Sequence, residues 1–432
     1  MKNIKIQNLK GTTDYLPEEQ LLRNKITDTL KSTFEVYGYM PLKTPILNYF
    51  DLLSYKYDDD AEILNETYKL TDQGNRNLGL RYDLTIPFCK VIALNKDLHM
   101  PFKRYEIGKV FRNGPVKLGR MREFYQCDVD VVGIDSRMIE IEQLIMAKKI
   151  FDKLNIDVLI KWNNRKLMSG LIIECGINQD LIDKVISIID HMEKISKEEM
   201  LKEFNKIGIN NSKALELLDI FKLTIDEYNN RFSNTTNVLI KEGLKEINEI
   251  ALLVKRHELE NNTCFTPTLA RGLSIYTGLV FEFFDKKKRI TSSLGGGGRY
   301  NKIITDFIDD GNIYPACGLS FGLEPIYAIL KDDKKSNNII DCLIIPMETQ
   351  CESLELATIL RDNGIKVSIE MNNRRIKKSF EFANKNNIRY VIVVGSDEIK
   401  QNKYSIKDME SGNQKLLNTK EIINFVLNNK EL

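Results

Sequence analysis

The stretch VFRNGPVKLGRMREFYQCDVDVVG, residues 110–133, carries more ionisable side chains than a plain core strand allows. Arg112, Lys117, Arg120, Arg122, Glu123, Asp128 and Asp130 all fall within it. Its two ends alternate apolar with polar residues, the period-2 pattern of a sheet with one exposed face. Between them Gly114, Pro115 and Gly119 mark a polar turn region, so the stretch predicts a hairpin with a long basic loop. Arginine suits phosphate because its donors form a rigid fork, which makes Arg112 a candidate anion ligand. Phe124 offers a ring face for a nucleotide base. A surface hairpin with solvated charges fits the same pattern.

Moving outward, FKRYEIGKVF (102–111) and LGLRYDLTIPF (78–88) read as further strands of an antiparallel sheet. In the second, Asp83 can hold an ammonium group, pair with Arg81 or cap a turn. Strand character returns at PTLARGLSIYTGLVFEFF (267–284). There a buried Arg271 needs an anionic partner, either a ligand or a protein carboxylate. In SSLGGGGRYNKII (292–304), Gly295 to Gly298 make either a loose turn or a place where backbone meets a ligand. No G-K-[ST] follows, and no G-x-G-x-x-G opens a helix, so neither nucleotide-binding loop fits.

Around this sheet the pattern turns helical. Leu22, Ile26, Leu30 and Phe34 space a helix between Glu18 and Tyr37, with Pro17 as its start signal and Gly38 as its stop. YMPLKTPIL (39–47) places Pro41 and Pro45 in an extended segment, which confines it to an edge or an interface. A helix is expected from about Arg137 to Leu154, and residues 165–255 are helical almost throughout. KDDKKSNN (331–338) is a linker candidate. Beyond it CLIIP, SLELATILRDNG, KVSIEM, IKKSFEFANKNN, YVIVVG and EIINFVL alternate strand with helix, an appended α/β domain with a largely parallel sheet. The expected organisation is α+β. Residues 1–164 and 256–331 form the two parts of one sheet domain, 165–255 a helical insertion, and 339–432 the last domain.

The 432 residues carry 63 Lys+Arg against 61 Asp+Glu, a formal charge of +2, so the chain is not basic overall, although a local basic face remains open to nucleic acid. No apolar run approaches the ~18 residues of a membrane span, and no export signal follows MKNIKIQNLKG, so a cytoplasmic protein without a membrane partner is expected. The seven cysteines are scattered singly, which fits a reducing compartment. With three histidines and no clustered Cys/His ligands, a bound structural metal and a histidine-based triad are not expected. The chemistry must rest on carboxylates, arginines and a bound cation.

In their order and spacing, these clusters resemble the histidyl-tRNA synthetases, a family of class II aminoacyl-tRNA synthetases. KGTTDYLPEE (10–19) is similar to that family's start, and YGYMPLKTP (37–45) to the class II dimer motif, with Pro45 as its proline. Residues 110–133 resemble motif 2 in its histidine-specific form. LARGLSIYTGLVFE and SLGGGGRY resemble the two histidine signatures, and ACGLSFGLEPIYAIL (316–330) stands in the place of motif 3. FEFANKNNIRYVIVVGSDE and KDMESGNQ resemble the family's anticodon-binding domain.

The resemblance implies an antiparallel class II catalytic sheet and an ATP-dependent, AMP-forming ligase that charges histidine tRNA with L-histidine, using ATP with Mg²⁺. It implies that Asp83, beside Thr85, receives the histidine α-amino group. Gln126 and Asp130 would line the amino-acid pocket, Tyr276 would stand near the imidazole, and Gly296 and Gly297 would form the floor. Arg112 would hold the ATP α-phosphate, Phe124 would stack on adenine with Arg122 and Glu123 beside it, and Arg271 would act as the catalytic cation. Arg112 and Arg271 would thereby also border histidine. Lys117 and Arg120 would meet the tRNA acceptor end, and Arg374, Arg375, Lys377 and Lys378 the anticodon region; a solvated helix face is the plainer reading of those last four. A homodimer is implied through the Pro45 segment.

Three departures from the common pattern stand out, at four positions. Pro325 stands where motif 3 usually places an arginine for the γ-phosphate, and losing such a contact costs ~1.5–3 kcal/mol unless another cation substitutes. Gly114 stands where motif 2 usually has an acidic residue. Ser274 and Ile275 replace an aspartate and a tyrosine. A non-charging paralogue, serving as a histidine-sensing regulatory subunit or a tRNA-binding protein, is the alternative reading. Such regulatory relatives generally lack both the arginine of LARGL and the last domain, and this chain has both.

Overall fold

The computed structural model describes residues 5–55, 62–192, 195–270, 275–331, 339–372 and 374–429. The chain divides into two compact units, Met1–Asp14 with Leu22–Asp332 and Tyr15–Leu21 with Asp333–Leu432.

The first unit contains β1 (Met40–Pro41), β2 (Leu47–Tyr49), β3 (Lys69–Thr71), β4 (Asn77–Leu80), β5 (Phe102–Phe111) and β6 (Glu123–Val132). It continues with β7 (Val158–Asn164), β8 (Thr263–Phe265), β9 (Leu279–Asp285), β10 (Gly295–Arg299) and β11 (Ala316–Gly322). Eight of these form one sheet in the order β1-β5-β6-β11-β10-β9-β7-β8, and β2, β4 and β3 form a smaller one. From β5 to β7 every neighbouring pair is antiparallel, while β1 and β8 join in parallel at the two edges. The two-proline segment thus contributes only the short edge strand β1, because proline offers no N–H to a central ladder.

Alternation gives the large sheet one apolar and one polar face. Tyr105, Cys127, Val129, Val131, Phe281, Phe283, Leu319 and Phe321 bury one face. Against it pack Ile26, Leu30 and Phe34 of helix Pro17–Val36, and Leu144, Ala147 and Phe151 of helix Met138–Lys153. Each fully buried side chain of this kind contributes about 1.5–3 kcal/mol. The rings of Phe283 and Phe321 stack with centroids 5.6 Å apart. The opposite face carries Arg104, Glu106, Asp128, Asp130 and Ser320, and helices Thr85–Leu94 and Asn301–Ile308 pack at one end of it.

Residues 165–255 fold into helices, the longest being Val238–Arg256. Helix Arg165–Glu174 lies so close to it that a Cβ on Gly243 would stand 2.5 Å from the Leu167 nitrogen, so only glycine permits that crossing. Two expectations fail locally. LTIPF is not a strand but the first turns of helix Thr85–Leu94, where continuous apolar residues bury one end of the sheet. Within 267–284 the described strand is Leu279–Asp285, and residues 267–270 and 275–278 lie outside any strand. Arg271, Gly272, Leu273 and Ser274, and most of the linker candidate (residues 332–338), lie outside the described residues.

In the second unit, β12 (Cys342–Pro346), β13 (Val367–Ile369), β14 (Tyr390–Val394), β15 (Tyr404–Asp408) and β16 (Gln414–Leu417) run in the order β13-β12-β14-β15-β16. The first three are parallel, as the strand–helix alternation implies, and β15 and β16 add an antiparallel hairpin. That hairpin escapes the apolar pattern because its strands are mostly polar and half-exposed. No helix among the described residues is long and apolar enough to cross a membrane.

Candidate active site

The site is built on the polar face of the large sheet, and the strand pairings fix its rows. Glu106 of β5 faces Asp128 of β6, Asp128 faces Ser320 of β11, and Ser320 faces Gly296 of β10. In the next row Arg104 faces Asp130, Asp130 faces Gly318, and Gly318 faces Gly298. Glycine at these positions keeps the floor low. A Cβ on Gly318 would stand 2.0 Å from Asp130 Oδ1, and one on Gly298 would stand 3.0 Å from the Tyr276 ring. Gly295 to Gly298 are therefore not a loose turn but a strand in the middle of the sheet, with Gly296 and Gly297 among its residues. Tyr276 lies over this floor, buried.

Asp83 precedes helix Thr85–Leu94, and its Oδ1 accepts the Ile86 N–H at 3.2 Å. Of the two protein partners open from sequence, it takes the helix start rather than Arg81. Arg81 is instead buried against Glu106 at 2.9 Å and Thr44. Burial pushes the Asp83 carboxyl up to about 6, opposed by the Ile86 N–H and the Arg112 charge. Arg112 follows β5, donates from Nε to the Tyr82 carbonyl at 3.0 Å and lies 5.3 Å from the Phe124 ring centroid. Asp83, Thr85, Arg112 and Phe124 are thus brought to one end of the sheet face.

Gln126 donates from Nε2 to Ser320 Oγ at 3.2 Å. Asp130 is held by the buried Arg104, Nη2 to Oδ2 at 2.7 Å, and by a short bond from the Tyr300 hydroxyl. Arg104 also lies 4.4 Å from the Phe88 ring, and desolvation works against its charge while Asp130 and Asp128 sustain it. Arg104, Tyr300 and Ser320 were not singled out from sequence, and Asp128 only as one of the ionisable residues of 110–133. The signal was the alternation itself, since Arg104 and Asp128 share parity with Asp130 in paired strands.

The hairpin loop holds the remaining candidates. Lys117 and Arg120 bond backbone to backbone across its tip, and Arg120 pairs with Glu66 at 3.0 Å. Gly114 leaves room for that same Glu66, whose Oε1 would be 2.2 Å from a Cβ there. A carboxylate from another segment therefore lies beside the position where motif 2 usually carries its own. Arg122 donates from its backbone N–H to the Gly11 carbonyl at 2.8 Å, and Glu123 pairs with Lys109. Pro325 occupies the first turn of helix Leu323–Leu330, where an N–H has no intrahelical partner, so proline costs no hydrogen bond. Pro45 is exposed between β1 and β2.

Arg374, Arg375, Lys377 and Lys378 lie in the second unit at the start of helix Ile376–Lys385. Arg374 pairs with Glu370 at 3.0 Å, and the other three are exposed. Among the described residues no group of three or more His, Cys, Asp or Glu is placed to hold a metal.

The family model described as histidyl-tRNA synthetase matches residues 11–326. The chain belongs to the histidyl-tRNA synthetase family. A second model, described as an anticodon-binding domain, matches residues 341–429. The chain is 45% identical over 416 residues to histidine–tRNA ligase 1 of Bacillus cereus, covering 95% of this chain and 97% of that one. It is 41% identical to histidine–tRNA ligase 2 of Shouchella clausii, covering 95% and 98%. The solved histidyl-tRNA synthetase of Nostoc sp. PCC 7120 superposes with a TM-score of 0.86 at 28% identity, covering 99% of this chain and 100% of that one. As a member of the histidyl-tRNA synthetase family, the chain has the class II catalytic sheet expected from its motifs.

Proposed function

We infer that this chain is a histidine–tRNA ligase: it joins L-histidine to ATP, releasing pyrophosphate, and passes histidine from the adenylate to the 3′ end of its tRNA. One observation carries the reading. Asp83, Arg112 and Phe124 converge at one end of a polar sheet face floored by glycine, inside the span that matches the family.

The geometry suits the chemistry. The histidine carboxylate attacks the α-phosphorus, so the protein must align two anions and offset their charge rather than supply a nucleophile. Arg112 grips the α-phosphate, its guanidinium oriented by the Tyr82 carbonyl. Phe124 stacks on adenine, with Arg122 and Glu123 beside it. Arg271 is proposed as the second cation at the α-phosphorus. ATP enters as its Mg²⁺ complex, and the metal supplies further charge neutralisation. Asp83 and Thr85 take the α-amino group, while Gln126, Asp130 and Tyr276 bound the side-chain pocket over Gly296 and Gly297. A Cβ on Gly119 would stand 3.5 Å from Pro325, so the loop bearing Lys117, Arg120 and Arg122 packs beside the place of the usual motif 3 arginine and offers cations in its stead.

Residues 1–164 and 256–331 serve as the catalytic domain, 165–255 as an insertion, and 339–432 as the anticodon reader. Lys117 and Arg120 meet the acceptor end. Basic side chains in the first turn of helix Ile376–Lys385 oppose its dipole, and such a helix start favours an incoming phosphate. The protein acts in the cytoplasm as a homodimer. Exposed Met40, Ile46, Leu47 and Tyr49 around Pro45 form the apolar strip that a second copy would cover. The direct experiment is charging of a histidine tRNA transcript with labelled amino acids. Histidine alone should be esterified, and transfer of no amino acid would defeat the reading.

A further inference from the structure

Asp128 is 4% exposed and stands between Gln126 and Asp130 on the same face of β6. The hydrogen bonding around it leaves two acceptors without a protein partner, Asp128 Oδ1 and Gln126 Oε1. Ser320 explains why. Its oxygen accepts from Gln126 Nε2 at 3.2 Å, and its hydroxyl works to lower the Asp128 carboxyl against burial. With Nε2 toward Ser320, the Gln126 carbonyl oxygen is turned away from it. Asp130 is differently placed: its Oδ1 accepts from the Tyr300 hydroxyl, and its Oδ2, without a hydrogen bond, is ion-paired with Arg104 at 2.7 Å.

Two buried acceptors with no donor cost free energy unless a ligand supplies donors. Asp83 adds a third acceptor, and its charge is felt at Asp128. Among the described residues the cations felt at Asp83 are Arg104 and Arg112, and Arg104 is engaged by Asp130 and the Leu84 carbonyl. Three acceptors, two of them carboxylates, match the three N–H donors and single charge of an ammonium group. An imidazole edge offers one N–H. We propose that Asp128 is a specificity residue of the amino-acid pocket, its Oδ1 and Gln126 Oε1 receiving the substrate's α-ammonium group alongside Asp83. This rests on the histidine–tRNA ligase reading and adds a second carboxylate to the amine site it assigns.

Titration calorimetry on the full chain separates the possibilities with two ligands. L-Histidinol keeps the amine and lacks the carboxylate; imidazole-4-propionate keeps ring and carboxylate and lacks the amine. The wild type should bind histidine and histidinol. Asp128→Asn should weaken histidinol at least tenfold and leave imidazole-4-propionate within twofold. Equal weakening of both ligands, or no weakening of histidinol, would overturn the proposal. If Asp128→Asn does not fold, Asp128→Glu should show the same loss confined to the amine-bearing ligand, and an even loss on both ligands counts against the proposal in the same way. Failure of the ligase reading looks different: the wild type itself would bind no histidine.

Discussion

Arg23 and Glu324, 301 positions apart in the chain, meet in the interior with Nη2 2.8 Å from Oε1. Glu324 Oε2 accepts the Tyr125 N–H at 3.0 Å, so one carboxylate ties the first helix and helix Leu323–Leu330 to β6. The Arg23 guanidinium also lies 5.6 Å from the Tyr125 ring and 5.7 Å from that of Tyr327. Burial raises the Glu324 carboxyl, and Arg23 pulls against that. Removing one member of a buried pair leaves the other uncompensated. Arg23→Met should therefore lower unfolding free energy in urea by about 3 kcal/mol. A change within 0.5 kcal/mol, the range of an ordinary surface substitution (roughly ±0.5), would show the pair to be dispensable.

The buried acids of the pocket make stability depend on pH. Burial pushes Asp83 up to about 6 and Asp128 to about 7 from an ordinary 3.8. Arg112 and Arg104 face Asp83, while Arg104, Asp130, Asp83 and, across the strand pair, Glu106 face Asp128. With folded-state values above unfolded ones, the native protein holds more protons between about pH 4 and 7, so its stability falls as pH rises through that window. Asp128→Asn should flatten the fall, its Tm changing less than the wild type's between pH 5 and 8. Parallel curves would show that Asp128 titrates as in the unfolded chain.

Arg112 should matter to the chemical step rather than to the fold. It is half-exposed, and its Nε donates to the Tyr82 carbonyl, so its loss disturbs little apolar packing. Removing a preorganised donor from a developing anion typically costs about 10²–10³ in kcat. Arg112→Ala should show that loss in single-turnover adenylate formation with an unchanged Tm. Retained kcat with only a higher KM for ATP would assign it to ground-state binding.

The basic helix start in the second unit predicts a separation of activities. Replacing Arg374, Arg375, Lys377 and Lys378 by neutral residues should weaken tRNA binding and lower the salt slope of log affinity by about 3, at roughly 0.7–0.9 per phosphate contact. Histidine activation should stay within twofold of the wild type. Equal loss of activation and binding would refute the assignment.

Much of this was legible in the sequence because strong periodicities carry physical meaning. The alternation in FKRYEIGKVF and FYQCDVDVVG gave β5 and β6 almost to the residue, and the helix expected between Glu18 and Tyr37 spans Pro17–Val36. LTIPF was misread because a short apolar run buried on all sides has no period that separates strand from helix. The glycine run was ambiguous alone, since only its partners β9 and β11 make it a sheet centre. The roles of Arg104, Tyr300, Ser320 and Glu66 depend on contacts between segments far apart in sequence. No local pattern announces which of several polar strand residues finds a partner and which, like Asp128, keeps an acceptor free.

Histidine-dependent ATP–pyrophosphate exchange on the wild type, Arg112→Ala and Arg271→Ala tests the central claim most directly. Exchange in the wild type with histidine and no other amino acid, lost in both variants, is the predicted result. A wild type that binds histidine by calorimetry yet shows no exchange would contradict it.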